Sequence, residues 1–186
     1  MNILALVGSP RLEGNTVFLV DQALAEAAEL GAETEKIILS QYDVKPCLGH
    51  DECSDLDSCV QRDDAAWILD KFCKADGVIL ATPVYYYNVS AQLKVFMDRN
   101  YFLYTHKRKS QARVVGIIVV AEVEGLEDTA QALKRFINES FDVEKDSILE
   151  VHGYASRLGD VRNNGPLLRQ ARELGRQMVE SLKVDG

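Results

Sequence analysis

Residues 3–16 read Ile3-Leu4-Ala5-Leu6-Val7, then Gly8-Ser9-Pro10-Arg11-Leu12-Glu13-Gly14, then Asn15-Thr16. The unbroken apolar run predicts a strand covered on both faces. The residues after it are rich in turn formers. From Thr16 the apolar residues Val17, Val20, Leu24, Ala27 and Ala28 recur at helical spacing, and Gly31 ends the pattern. A doubly buried strand that turns straight into an amphipathic helix is the unit of a parallel sheet wrapped by helices.

The same unit recurs along the chain. Strands are predicted at Glu35–Leu39, Gly77–Ala81, Val114–Val120 and Ser147–Val151. Between them lie helical patterns: one after Asp63 or Asp64 with Trp67, Ile68 and Phe72 on its apolar side, one from Ser90 to about Asn100, one over Leu126–Asn138, and one from Pro166 onward. Five such repeats with right-handed crossovers predict an α/β, flavodoxin-like three-layer sandwich whose parallel sheet has the order 2-1-3-4-5. The length of 186 residues suits one domain spanning 1–186.

Charge and composition remove several classes. A net charge of −8 argues against a nucleic-acid partner. The basic stretch Lys107-Arg108-Lys109 with Arg113 reads as a solvated loop, with an anionic cosubstrate such as NADPH as the other reading. No apolar run approaches the roughly 20 residues of a membrane span. Met1-Asn2-Ile3 lacks the basic start of a secretory signal. A soluble, cytoplasmic protein with reduced cysteines is therefore expected.

In an open parallel sheet, ligands sit beyond the carboxyl ends of the strands, where the strand order reverses. Here that point lies between strands 1 and 3, so the loops after Val7 and Ala81 are the ones to inspect. The first ends at a helix N-terminus, an anion site by its free N–H groups and dipole. Gly8 and Gly14 allow tight turns, Ser9, Asn15 and Thr16 add small donors, and Arg11 adds a planar cation. A nucleotide P-loop has four residues between its glycines and then Lys. Here five intervene and Asn15 follows, which suits a monoester phosphate held without Mg²⁺. The second loop is Thr82-Pro83-Val84-Tyr85-Tyr86-Tyr87-Asn88-Val89-Ser90. Three consecutive tyrosines cannot all enter a core; they suit a flat heteroaromatic ring, or a contact with another chain.

Gly8-Ser9-Pro10-Arg11 with Gly14-Asn15-Thr16 resembles the N-terminal motif of the NADPH-dependent FMN reductase family. Thr82-Pro83-Val84-Tyr85, Asn88-Val89-Ser90-Ala91-Gln92-Leu93-Lys94 and Asp98-Arg99 resemble its second signature. Gly153-Tyr154 and Gly159-Asp160 fit its C-terminal stretch more loosely. The resemblance implies FMN bound at a subunit contact of a homodimer or higher homo-oligomer. Ser9, Arg11, Gly14, Asn15 and Thr16 would take the phosphate, and Pro83, Val84, Tyr85, Tyr86, Asn88 and Val89 would line the isoalloxazine ring. A third flavin loop is expected around Ala121–Gly125. It implies an oxidoreductase passing electrons from NAD(P)H or another donor through FMN to a flavin, quinone or similar acceptor. The alternative is an electron-transfer protein or iron–sulfur flavoprotein with no small-molecule substrate of its own. The redox chemistry is the cofactor's, so no side chain is nominated as catalytic.

The branch that the chain most resembles, iron–sulfur flavoproteins and their cluster-free relatives, carries four cysteines spaced C-x₂-C-x₂-C-x₅-C. Set on Cys47, Cys53 and Cys59, the second position here is His50. A relic loop with free thiols, a [4Fe–4S] cluster and a zinc site are the three readings, and the relic loop is favoured, with no metal ligand nominated. Cys73, on the second helix, reads as core.

Overall fold

A computed structural model describes residues 1–184; Asp185 and Gly186, the end of the expected domain, lie outside the described residues. Among these, β1 (Asn2–Val7), β2 (Glu33–Ile38), β3 (Gly77–Pro83), β4 (Val114–Ala121) and β5 (Ile148–Tyr154) form one sheet. Its order is β2-β1-β3-β4-β5, and every neighbouring pair is parallel, as the repeats predict. The helices are α1 (Asn15–Glu29), α2 (Ala65–Lys74), α3 (Ala91–Arg99), the short α4 (Tyr101–Thr105), α5 (Leu126–Ser140) and α6 (Gly165–Val184).

Side-chain alternation along each strand divides the core in two. Ile3, Ala5 and Val7 of β1, with Ile79 and Ile118, pack against Val20, Ala23 and Leu24 of α1 and Leu174 and Met178 of α6. Leu4, Leu6, Val78, Leu80, Ile117 and Val119 pack on the other face against Ile68 and Phe72 of α2, Leu93 and Phe96 of α3, and Leu133 and Ile137 of α5. Both faces of the three central strands are thus covered, which is why their sequences read as continuous apolar runs.

Boundaries shift where burial is partial. β2 begins at Glu33, before the expected Glu35, because its polar first half needs only ladder bonds to β1 at the sheet edge. β5 runs on to Tyr154, past the expected Val151, paired with Ala121 of β4. The helix expected to end near Asn100 is followed at once by α4. The basic stretch 107–113 lies just before β4, at the opposite edge of the sheet from the strands' carboxyl ends. Lys109 pairs with Asp142, and Arg113 donates to the Leu182 carbonyl. Among the described residues no helix is long and apolar enough to cross a membrane.

Candidate functional site

A cleft of about 520 Å³ is walled by α3, α4 and α5, including Met97, Tyr101 and Phe136. None of the loops at the strands' carboxyl ends takes part in it, so volume alone does not mark the site. The expected crevice is marked instead by how its loops lock together.

The loop after β1 is held at both ends. Gly8 N–H donates to the Ala81 carbonyl at 2.8 Å, and the Gly8 carbonyl accepts from Ser90 Oγ at 2.6 Å. A Cβ at Gly8 would stand 2.6 Å from that oxygen and 2.7 Å from Leu93 Cβ, so only glycine fits. Ser40 Oγ donates to the Ser9 carbonyl at 3.3 Å, bringing in the loop after β2. Gly14 caps α1 from extended backbone, and its N–H reaches the Arg11 carbonyl at 3.0 Å. No side chain caps α1, and no acidic residue sits in its first turn. The N–H groups of its first turn therefore point outward with the positive end of the helix dipole.

The expected phosphate residues divide into two groups. The Arg11 side chain is exposed and has no partner among the described residues. Gly14, Asn15 and Thr16 bring backbone to the helix end. The Ser9 hydroxyl is turned inward, accepting from Arg11 N–H at 3.2 Å and donating to its carbonyl at 3.1 Å. The Asn15 amide is engaged as well: Nδ2 donates to the Arg157 carbonyl at 2.8 Å, and Oδ1 accepts from Gly159 N–H at 3.0 Å. The side chains of Ser9 and Asn15 thus also shape the loop that leads into the open N–H groups of α1.

The loop after β3 is a tight hairpin. Tyr85 N–H and Asn88 N–H exchange bonds with each other's carbonyls at 2.9 and 3.1 Å. Its central residues, Tyr86 and Tyr87, have φ of +50° and +60°, the left-handed pair of a type I′ turn that Asn and Gly normally supply. Tyr86 is 99% exposed. Tyr87 donates from its hydroxyl to Glu124 Oε2 at 3.0 Å. That bond first, and the Glu124 charge next, push its phenol above the usual range. Gly125, at φ +88°, passes so close that a Cβ would stand 2.9 Å from Val84 Cγ1 and 3.0 Å from Tyr87 Cα. The loop after β4 therefore braces the tyrosine turn, where the third flavin loop was expected.

Among the expected ring residues, Pro83 closes β3, and Val84 N–H is tied to the Val120 carbonyl at 2.8 Å. Asn88 Oδ1 accepts from Val89 N–H at 2.8 Å. Val89 itself is packed in the core beneath the hairpin's end.

The cysteine loop is held from behind by a residue that the sequence offered only as the end of the second signature, with no role. Arg99, the last residue of α3, is buried and pairs with the equally buried Asp63. Its Nη1 also donates to the Lys45 carbonyl at 3.0 Å, and Nη2 donates to Cys59 Sγ at 3.3 Å. Burial alone would raise the Asp63 carboxyl, but the Arg99 hydrogen bond, the Lys45 and Ala65 N–H groups and the Arg99 charge together hold it below the usual range. The signal was present: Leu93, Phe96 and Arg99 recur every third residue on the buried face of α3.

A family model described as NADPH-dependent FMN reductase matches residues 1–145. The chain belongs to the NADPH-dependent FMN reductase family. Membership makes FMN the cofactor and oxidoreduction the class of chemistry. An iron–sulfur flavoprotein of Methanocaldococcus jannaschii is 38% identical, over 99% of this chain and 98% of its own length. Another, from Archaeoglobus fulgidus, is 34% identical over 98% and 81%. Among solved structures, an NAD(P)H:quinone oxidoreductase from Methanothermobacter marburgensis superposes with a TM-score of 0.73 at 18% identity, covering 96% of each chain. An archaeal flavodoxin does so with a TM-score of 0.63 at 14% identity, over 98% of this chain and 99% of its own. These two likenesses bear on the fold, which is flavodoxin-like.

Proposed function

We propose that this member of the FMN reductase family is a cytoplasmic, single-domain, NAD(P)H-dependent reductase of a flavin, quinone or similar acceptor. The observation that carries the reading is the uncapped N-terminus of α1, in a loop with the unpaired Arg11, joined through the Ser90–Gly8 bond to the loop that carries the tyrosine turn. The fit to FMN is chemical. A phosphate dianion meets free N–H groups and a guanidinium. A flat ring with polar edges meets Pro83, Val84 and the Tyr85–Asn88 hairpin.

FMN, when bound, supplies the electron-pair chemistry between a nicotinamide and an acceptor. The residues of the chain bind, orient and exclude water. Arg11, the Thr16 hydroxyl and the amides of Asn15 and Thr16 hold the phosphate. Ser90 locks the phosphate loop to the ring loop, so the two ends of the cofactor are held by one rigid unit. Glu124 keeps the tyrosine turn closed over the ring side.

Tyr85, Tyr86, Tyr87, Tyr101 and Tyr104 are all exposed, whereas Phe96, between them in the chain, is core. Such aromatic surface supports a homodimer with the ring site near the contact.

The relatives from Methanocaldococcus jannaschii and Archaeoglobus fulgidus are named for iron and sulfur, but the donor set here differs from four thiolates. Three thiols and His50 replace four thiolates, and Cys59 Sγ already accepts from Arg99. Among the described residues no three His, Cys, Asp or Glu side chains are gathered for one ion. The donor set does not fit a four-thiolate cluster, so the reading is of a flavoprotein that works without one.

The visible spectrum of the purified protein and its oxidation of NADPH and NADH, with a quinone or free flavin as acceptor, test the reading. Flavin bands with nicotinamide turnover support it. Flavin bands without turnover favour the electron carrier, and a colourless protein that takes up no FMN overturns both.

A further inference from the structure

Arg11 is not alone beside the first turn of α1. The loop after β5 comes back to that turn and is tied to it through Asn15. Asn15 Nδ2 holds the Arg157 carbonyl at 2.8 Å, and Oδ1 holds the N–H groups of Gly159 at 3.0 Å and Val161 at 3.4 Å. The same loop is closed on itself by Asp160. Its Oδ2 accepts from Ser156 N–H at 3.0 Å and Arg157 N–H at 2.7 Å. The backbone of Arg157 is therefore fixed on both sides, one hydrogen bond from the residue that opens α1.

The side chain of Arg157 is exposed, with no hydrogen-bond or ion-pair partner among the described residues. Its neighbour Arg162 is committed elsewhere, its guanidinium lying 5.1 Å over the Phe18 ring. The nearby carboxylate of Asp160 is spent on backbone. A cation on a rigid backbone, unpaired and one residue from an uncapped helix N-terminus, is arranged for an anion that arrives from outside.

We propose that Arg157 is a second cation for the FMN phosphate, facing Arg11 across the end of α1, and that Asn15 is the positioning residue that sets it there. The proposal rests on the phosphate reading of the loop 8–16. A phosphate monoester carries about −1.5 to −2 charges near neutral pH. One guanidinium and a helix end, worth about half a charge, balance the lower end of that range and fall about half a charge short of the dianion; a second guanidinium covers the dianion. The same chemistry could serve a phosphate of the nicotinamide cosubstrate, and the experiment separates the two.

Apo-protein is titrated with FMN and with riboflavin, following flavin fluorescence, for the wild type, Arg157→Ala, Arg157→Lys, Arg11→Ala, Asn15→Ala and the pair Asn15→Ala with Arg157→Ala. Arg157→Ala weakens FMN roughly tenfold, in line with a lost charge-assisted hydrogen bond, and leaves riboflavin unchanged. The loss shrinks in high salt, as for an exposed pair. Arg157→Lys recovers part of it. In the Asn15→Ala background, removing Arg157 costs little further, because the side chain is no longer held in place. Arg157 is exposed and unpaired, so its variants fold, and an unchanged melting temperature verifies this. If the wild type does not prefer FMN to riboflavin, the phosphate reading falls and the proposal with it. If Arg11→Ala loses the preference while Arg157→Ala binds FMN as the wild type does, the proposal alone falls. It also falls if Arg157→Ala raises KM for NADPH but not NADH with FMN affinity intact, since the arginine then serves the cosubstrate.

Discussion

The Ser90 hydroxyl donates to the Gly8 carbonyl at 2.6 Å, joining two loops that lie 82 residues apart in the chain. Ser90 is fully buried, its N–H is bonded to Thr82 Oγ1 at 3.0 Å, and its oxygen caps α3 through Leu93 N–H. One side chain therefore sets the spacing between the phosphate loop and the ring loop. Ser90→Ala leaves a buried carbonyl unpaired and removes a cap. It should lower stability by about 1–3 kcal/mol. FMN, which spans both loops, should bind more weakly as well. Urea midpoints with and without FMN measure both effects; an unchanged midpoint in apo-protein would contradict the packing described.

Arg11→Ala and Thr16→Ala should each weaken FMN by about 1–3 kcal/mol, the range for hydrogen bonds to a charged group. Riboflavin lacks the phosphate and should bind the wild type less tightly than FMN does. It should bind the two variants about as well as it binds the wild type. Equal binding of FMN and riboflavin by the wild type would move the cofactor's phosphate away from this loop.

The Arg99–Asp63 pair carries a pH signature. Asp63 has a folded-state pKa below its unfolded value of about 3.9. A depressed carboxylate contributes stability that is fully present above the unfolded pKa and is lost as pH falls through the folded one. The wild type should therefore lose stability below about pH 4, and Asp63→Asn should flatten that acid limb. Asp63→Ala leaves a buried guanidinium uncompensated and should cost about 3–5 kcal/mol near neutral pH. Urea unfolding from pH 3 to pH 7 tests the sign.

How much of this was legible in the sequence depends on how local the cause is. The central strands could be read because burial on both faces leaves an unbroken apolar run, as in Val114–Val120. β2 was half hidden because Glu33–Lys36 needs only an edge ladder. The turn chemistry of Gly8–Gly14 and the tyrosine triplet pointed to the site, since both are continuous in the chain. The locks that make the loops rigid were not legible. Asn15 meets Arg157 142 residues away, and Tyr87 meets Glu124 37 residues away. No periodicity records such a pairing. For the same reason the bonds that Ser9 and Asn15 make to the protein's own backbone could not be read in advance.

The tyrosine turn places two non-glycine residues in left-handed backbone, a conformation that costs energy and persists where surrounding structure enforces it. Replacing Tyr86-Tyr87 by Asn-Gly, the favoured type I′ pair, should raise the melting temperature by roughly 2–4 °C. If the tyrosines serve the ring site or a second copy of the chain, the same change should weaken flavin binding or dissociate the dimer. Differential scanning fluorimetry and light scattering on one preparation read both. A gain in stability with flavin affinity and assembly intact would leave the strain without a function.

The loop with Cys47, His50, Cys53 and Cys59 is expected to hold no stable [4Fe–4S] cluster in the isolated protein. Such a cluster is held by thiolates, and Cys53 resists becoming one. Burial first, then the neighbouring Cys59 and Cys47 thiols and the charges of Glu52 and Asp51, pushes the Cys53 thiol above its ordinary pKa. Asp55 and Asp57 add further negative charge to a segment that would have to carry an anionic cluster. Cys59 Sγ is meanwhile engaged by Arg99, and Cys47 Sγ accepts from Gly49 N–H at 3.4 Å. His50 offers a neutral imidazole in place of the missing thiolate. Anaerobic purification followed by iron and sulfide analysis should find far less than one cluster per chain. A near-stoichiometric cluster, lost on Cys53→Ser, would overturn this. His50→Cys restores the spacing of the iron–sulfur branch and should raise occupancy on reconstitution with iron and sulfide. If it does not, the hold of Arg99 on Cys59, and not the missing thiolate, is what keeps the site closed.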